Sequence, residues 1–588
     1  MAVIFARFSD DDAPHPVWTE QPDARQPENV PPWMRTFIDA PEATELPSNS
    51  AYENITHYFY TASQGRLKLY GDVYHVEIPA RLREASLAAS NRKVMQQLFG
   101  SYDEAADAFR AGSAELPAAA YDRWSPLHIS ATVPEREQRH VSEQDGIFDY
   151  ALIIYRHRRG QAHPFAARWN AIASLGGGRP YALGDSTLVY GSGRRVSGAS
   201  VLFSSPRRTA EFIYHEMAHH LLGAPHPYKG NTGAHPAYWG LFNSYLSNQS
   251  INAWEREALG WGKMERPDFS RRTDTPAEPI TLRHRDFITQ GDAVAFGLPG
   301  AAEEQLLVFE NRQRHHEATG AGSTYDNATL NSSDKGLFIY TVRPPYSSRN
   351  HNLRTFPADG HHVWDISDWG EACGEGNLQP VLRKAAPHPQ GVSYRDVFVI
   401  PPDMNPRPNP ADSLFSLFVT HEAPGDCRSY TRGEYHDTAF GPESRSGKRW
   451  FSAFTNPGSL LDNGAYTGIS AYVHGQDAGE LEVSYAPDPF LAGLGQPLEL
   501  NQDIFFYPVP GAVNGRRIVI PEHVRLKLGA DARIFLDERI ELDIRGHIVT
   551  AKGDTLTGKQ TPGSLKSRAG FPAYELSPFT GAPSRAAF

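Results

Sequence analysis

The chain has 588 residues, 24 of them histidine, with 40% hydrophobic and 21% charged side chains and a formal charge of -11 at pH 7. That balance excludes a disordered chain and gives a soluble globular one, long enough for about three or four domains or one large catalytic unit with appendages. A pI near 6.1 argues against a nucleic-acid partner, which needs clustered Lys and Arg, and no apolar run approaches the ~18 residues that cross a bilayer.

Residues 1–48, rich in Pro, Asp and Glu, read as an extended lead segment with little structure of its own. The opening AVIF is too short, and too closely followed by Asp10, Asp11 and Asp12, for a signal peptide. From Asn54, ITHYFYTASQGRLKLYGDVYHVEIP alternates apolar and polar residues around Ser63-Gln64-Gly65, the pattern of a β-hairpin. Between 80 and 112, Leu87, Val94, Leu98, Tyr102, Ala105 and Phe109 recur at helical spacings and predict one or two helices. The apolar run Ala151-Leu152-Ile153-Ile154-Tyr155 predicts a buried strand, and the basic Arg156-His157-Arg158-Arg159 after it reads as a solvated strand end. Gly176 to Gly178 is a loop and not a phosphate cradle, since no Lys-Ser/Thr follows, and GASVLF at 198–203 predicts another strand.

The next stretch, Glu211 to Gly230, reads EFIYHEMAHHLLGAPHPYKG and carries an H-E-x-x-H in His215, Glu216 and His219. A chain of this size and composition is expected to hold on the order of 0.05 such matches by chance. On a helix His215 and His219 lie about 40° apart and one turn up, close enough to share one ion. Catalytic zinc takes three protein ligands and keeps a position for water, whose proton Glu216, on the adjacent face, can take. Ser205-Pro206 suits a helix start and Gly223 with Pro225 a stop, while Ala210, Ile213, Met217 and Leu221 form an apolar stripe. A buried helix with a polar seam is expected; a solvated helix with incidental histidines is the bland alternative. For the third ligand, His226 follows seven residues after His219, His235 is a weaker choice, and His220 points about 100° away from His219.

Asn252 to Trp261 carries a second helix signal. From about 276 the pattern turns to short strands, ITLR, AVAFGL, LLVFEN, GLFIYTV, DVFVI, ISAYVH and LEVSY, so this half is β-rich. The expected divisions are 1–48, the lead segment; 49–270, the catalytic domain; 271–490, the β-rich part; and 491–588, a small β appendage whose tail after about Lys559 is poorly ordered. Cys373 and Cys427 suit one disulfide or two buried thiols equally.

Six stretches together resemble the immune inhibitor A group of zinc metallopeptidases, typically secreted by bacteria: GRLKLYGDVY at 65–74, GAPHPY at 223–228, WGLFNSYLS at 239–247, AWEREALGW at 253–261, LVFENRQ at 307–313 and KGLFIYTV at 335–342. The resemblance implies an α+β fold. In it a zincin/metzincin-like catalytic domain, with a mixed sheet and the H-E-x-x-H helix, precedes β-rich subdomains. It further implies a Zn2+ cofactor, endopeptidase activity on a protein or peptide substrate, and secretion, although the chain shows no signal peptide and an intracellular location stays open. A monomer is expected. By the same resemblance His226 stands at the third-ligand position, where the family has Asp. Tyr245 could reach a substrate oxyanion, or be an ordinary aromatic. Asp145, Asp149, Asp326 and Asp334 lie in turn-like stretches where such a family could hold Ca2+, although ordinary turn acids are the simpler reading. Three differences stand out: one added residue between His219 and Gly223, Phe242 at the Met-turn methionine, and Gly240 where an Asp precedes it. They motivate an alternative, a catalytically silent zinc-binding or protein-binding module on the same scaffold, with an adhesive β-rich protein as a third class.

Overall fold

The computed structural model describes residues 1–10, 54–82, 87–103, 108–111, 116–124, 144–156, 171–173, 181–182, 189–190, 197–201, 206–222, 240–241, 251–268, 279–298, 305–313, 335–343, 353–356, 439–444, 447–452, 467–486, 498–500, 504–506, 517–522, 524–530, 534–536, 541–561 and 573–575, with Trp18, Ile38, Ala114, Ala358, Thr455 and Ser459. The first elements are β1 (Ala2–Phe8), α1 (Ile55–Ala62), β2 (Asp72–Ile78), α2 (Leu87–Phe99), β3 (Gly100–Asp103), β4 (Ala108–Ala111), β5 (Ala151–Tyr155), β6 (Ala171–Ala173), β7 (Tyr181–Ala182), β8 (Val189–Tyr190), β9 (Ser197–Val201), α3 (Pro206–Leu222) and α4 (Ala253–Ala258). Five strands make one mixed sheet in the order β2-β1-β5-β9-β6, parallel except for β6, which runs antiparallel to β9.

Period-two alternation sends Val3 and Phe5 of β1 into a core shared with α1 and α3, and Ala2, Ile4, Ala6 and Phe8 into a second core under α2. A strand covered on both faces reads as an unbroken apolar run, which is why AVIF looked like a failed leader. The lead segment is thus corrected: residues 2–8 are an interior strand, and Trp18 and Ile38 are core residues. Trp18 meets Phe5 edge-on at 5.8 Å, and its carbonyl accepts from Arg156 Nη2 at 3.3 Å. Arg156, expected at a solvated strand end, is buried.

Two further expectations change. Residues 55–62 are a helix and not a hairpin arm: Asn54 Oδ1 caps the His57 N–H at 2.8 Å, and Ile55, Tyr58, Phe59 and Ala62 are buried at helical spacing. The Ser63-Gln64-Gly65 turn ends that helix, with Gln64 at φ 54 and Gly65 at φ 79. The helical signal in residues 80–112 holds for α2, but β3 and β4 beyond it form an antiparallel pair.

The next elements are β10 (Ile280–His284), α5 (Phe287–Gln290), β11 (Ala293–Gly297), β12 (Leu306–Arg312), β13 (Gly336–Val342), β14 (Leu353–Thr355), β15 (Trp450–Phe451), β16 (Ser470–Asp477) and β17 (Glu480–Ala486). They form two antiparallel sheets, β10-β17-β16-β15 and β11-β12-β13-β14, packed face to face. Phe296, Phe309 and Ile339 of one meet Val473, Val483 and Tyr485 of the other in a single cluster. On the reverse face of β12 and β13, Val308, Tyr340 and Val342 join the cluster that contains Met217 and Leu221 of α3. The division expected at 270/271 therefore does not divide the core.

The C-terminal strands are β18 (Leu498–Leu500), β19 (Ile504–Phe506), β20 (Arg517–Ile520), β21 (Arg525–Leu528), β22 (Ile534–Leu536), β23 (Glu541–Val549), β24 (Thr555–Gln560) and β25 (Ala573–Glu575). Parallel pairing gives the orders β18-β21-β23-β20 and β19-β22-β25, with β24 antiparallel on β23. Strand β25 falls within the tail expected to be poorly ordered. Among the described residues no helix is long and apolar enough to cross a membrane.

Candidate metal centre

Helix α3 begins at Pro206 and ends at Leu222, where the start and stop signals put it. Every residue from Ile213 to Leu222 is buried, including His215 at 2%, Glu216 at 6% and His219 at 9% exposure. The apolar stripe of Ala210, Ile213, Met217 and Leu221 is in the core, so the solvated-helix alternative is set aside. The helix lies over β9 and the edge strand β6. From the other side α1 braces it, with Tyr58 stacked on Tyr214 at 3.7 Å and 3° and Phe59 edge-on to Tyr214 at 6.0 Å.

The His215 and His219 rings are 5.2 Å apart, centroid to centroid, and inclined at 78°. An imidazole bound to zinc through nitrogen at ~2.0–2.1 Å has its centroid roughly 3.2 Å from the ion, so rings so spaced can subtend about 110°, close to tetrahedral. Two imidazoles, with a carboxylate next to the first of them in sequence, are a donor set that suits zinc. Among the described residues no group of three or more His, Cys, Asp or Glu is placed to hold a metal ion. His226, His235, Phe242 and Tyr245 lie outside the described residues, as do Asp326, Asp334, Cys373 and Cys427.

Asp145 serves as a turn acid, whereas Asp149 ties its segment to a distant one. Asp145 Oδ1 accepts the Ile147 N–H at 3.0 Å, and the Asp149 carboxylate accepts the N–H groups of Arg123 and Trp124, each at 3.1 Å. Burial pushes the Asp149 carboxyl up to about 6, against the pull of those two N–H donors. His220 is packed between Trp124 at 5.3 Å and Tyr150 at 4.7 Å, consistent with its expected turn away from the pair. It borders a cavity of about 720 Å³ lined also by Met217, Asp72, Tyr121 and Asp149.

The turn at Gly240-Leu241 is tied to α4. Asn252 and Glu255 form a reciprocal capping box, and Glu255 Oε2 also accepts the Leu241 N–H at 2.7 Å. Gly240 has φ +139, and a Cβ there would stand 2.5 Å from Asn252 Nδ2 and 2.7 Å from both Glu255 oxygens. Glycine at this position is thus required by the approach of Glu255. One layer further out, Glu310 of β12 accepts from Arg312 Nε at 2.6 Å, the Tyr340 hydroxyl at 3.0 Å and the Ala253 N–H at 2.9 Å. Sequence reasoning missed both carboxylates. Their signals were the Asn252-x-x-Glu255 spacing and the charged Glu310-Asn311-Arg312 that ends an otherwise apolar strand.

Compared with known proteins, the chain matches no family model and no curated sequence.

Proposed function

We propose that this chain is a zinc-dependent endopeptidase of the immune inhibitor A-like, metzincin-like kind, hydrolysing peptide bonds of a protein or peptide substrate. The observation that carries the proposal is the H-E-x-x-H on a buried, well-bounded helix, with His215 and His219 presenting rings 5.2 Å apart. His215, His219 and His226 would hold the ion, and bound zinc supplies a Lewis acid that polarises the scissile carbonyl and acidifies a water. Glu216, which is buried, takes the proton of the attacking water and delivers it to the leaving amine. Tyr245 donates to the developing oxyanion. The resemblance extends the proposal to a secreted protein.

The test is casein digestion by the purified chain, inhibited by a chelator and restored by zinc. Glu216→Ala should retain zinc and lose about 10²–10⁴-fold in rate. A zinc-loaded Glu216→Ala variant cleaving at the wild-type rate would sink the assignment. A wild-type chain that binds zinc and cleaves nothing favours the silent module instead.

A further inference from the structure

We propose that Glu255 is a positioning residue for the metal helix, acting through the Gly240-Leu241 turn; this rests on the zinc reading above. The Glu255 carboxylate is 1% exposed and binds two backbone N–H groups, Leu241 at 2.7 Å and Asn252 at 3.2 Å. It therefore joins two chain segments, 14 and three residues away, at one point. Gly240 leaves room for that contact, since any side chain would meet the carboxylate and Asn252. The helix N-terminus that carries Glu255 is itself fixed from behind. Ala253 N–H donates to both Glu310 Oε2 at 2.9 Å and the Tyr340 hydroxyl at 3.1 Å, so the β12–β13 sheet anchors it.

Leu241, 1% exposed, belongs to the same buried cluster as Met217 and Leu221, which are on the side of α3 opposite His215 and His219. In this proposal a change at the turn passes through the shared cluster to that side of the helix, as a roll about its axis. With side chains some 5–6 Å from the axis, a roll of ~10° moves both imidazoles by about 1 Å. A misplacement of that size is enough to cost catalysis heavily while leaving substrate contacts elsewhere intact. Glu255 accordingly controls kcat and zinc affinity more than KM.

The experiment compares full-length wild type, Glu255→Gln, Glu255→Asp and Gly240→Ala. Zinc affinity is measured by competition with a chromogenic chelator, the Co2+-substituted protein by its visible spectrum, and cleavage of a fluorogenic peptide by kcat and KM. Glu255→Gln and Gly240→Ala should each weaken zinc binding and lower kcat by about tenfold or more, with KM within about twofold and an altered Co2+ band. Glu255→Asp, which keeps the charge, should recover part of both. Native circular dichroism with unchanged zinc affinity and kcat overturns the proposal. So does failure of both Glu255→Gln and Gly240→Ala to fold, because the role is then structural only. A wild-type chain without zinc or cleavage overturns the peptidase reading itself, a result read before any variant is considered.

Discussion

Replacing Glu310 with Ala removes the acceptor for three donors at once, none of which can turn to water. Glu310 is 0% and Arg312 2% exposed, and their 2.6 Å contact lies between the β sandwich and α4. The substitution leaves the Arg312 guanidinium with the Ile251 carbonyl at 2.9 Å and the face of Phe287 at 5.3 Å, and no counter-charge from Glu310. Breaking one side of a buried ion pair costs about 3–5 kcal/mol. Tyr340 and the Ala253 N–H lose a partner as well; burial and Glu310 hold the Tyr340 hydroxyl protonated, so it stays a donor in need of an acceptor. Against a typical domain stability of about 5–15 kcal/mol the loss is large. Urea unfolding followed by tryptophan fluorescence should therefore show Glu310→Ala with a midpoint far below wild type. The double variant Glu310→Leu with Arg312→Met removes both charges and should recover roughly half of the loss, the remainder being the acceptor lost to the Tyr340 hydroxyl and one of the two acceptors of the Ala253 N–H. A single variant within about 1 kcal/mol of wild type would refute the view that this pair fastens sandwich to helix.

His284, between the two sandwich sheets, bonds the Tyr485 hydroxyl through Nε2 at 2.7 Å, and burial lowers its pKa from 6.5 to about 4. The folded state thus prefers the neutral ring: its stabilisation is full above pH 6.5 and lost as pH falls towards 4, by about 3 kcal/mol in all. Unfolding midpoints measured across that range should fall in wild type and lose that slope in His284→Gln. Trp18→Ala should destabilise by about 3–5 kcal/mol in the same urea assay, because its ring fills the core beside Phe5; a neutral substitution would return residues 1–48 to the status of a loose lead.

The parts of the fold legible in the sequence were those with both a period and punctuation. Helix α3 had an apolar stripe bounded by Pro206 and Gly223, and α4 had Asn252 as its cap, so each was placed within a few residues. Helix α1 carried the spacing 55, 58, 59 and 62, but its dense aromatics also satisfied a period of two, and the Gly65 turn was taken as joining strands. Strand β1 has no polar face to alternate with, so nothing local separates it from a leader or a short buried helix. Of the proposed site, His215, Glu216 and His219 were legible because the H-E-x-x-H spacing falls within about one turn of helix. Glu255 and Glu310 do not, because their partners lie up to 57 residues away and only folding brings them together.

Strand β1 precedes both of its partners in the chain, Asp72–Ile78 on one side and Ala151–Tyr155 on the other. During synthesis the apolar heptapeptide AVIFARF must wait for both, and at ~5–20 residues per second β5 is made roughly 7–30 s later. Throughout that interval the future centre of the sheet is an unpaired apolar strand, already made while the nascent chain lengthens at its C-terminal end. Chaperone occupancy and the pace of synthesis between β1 and β5 therefore bear on the yield of folded molecules as directly as any contact in the finished core.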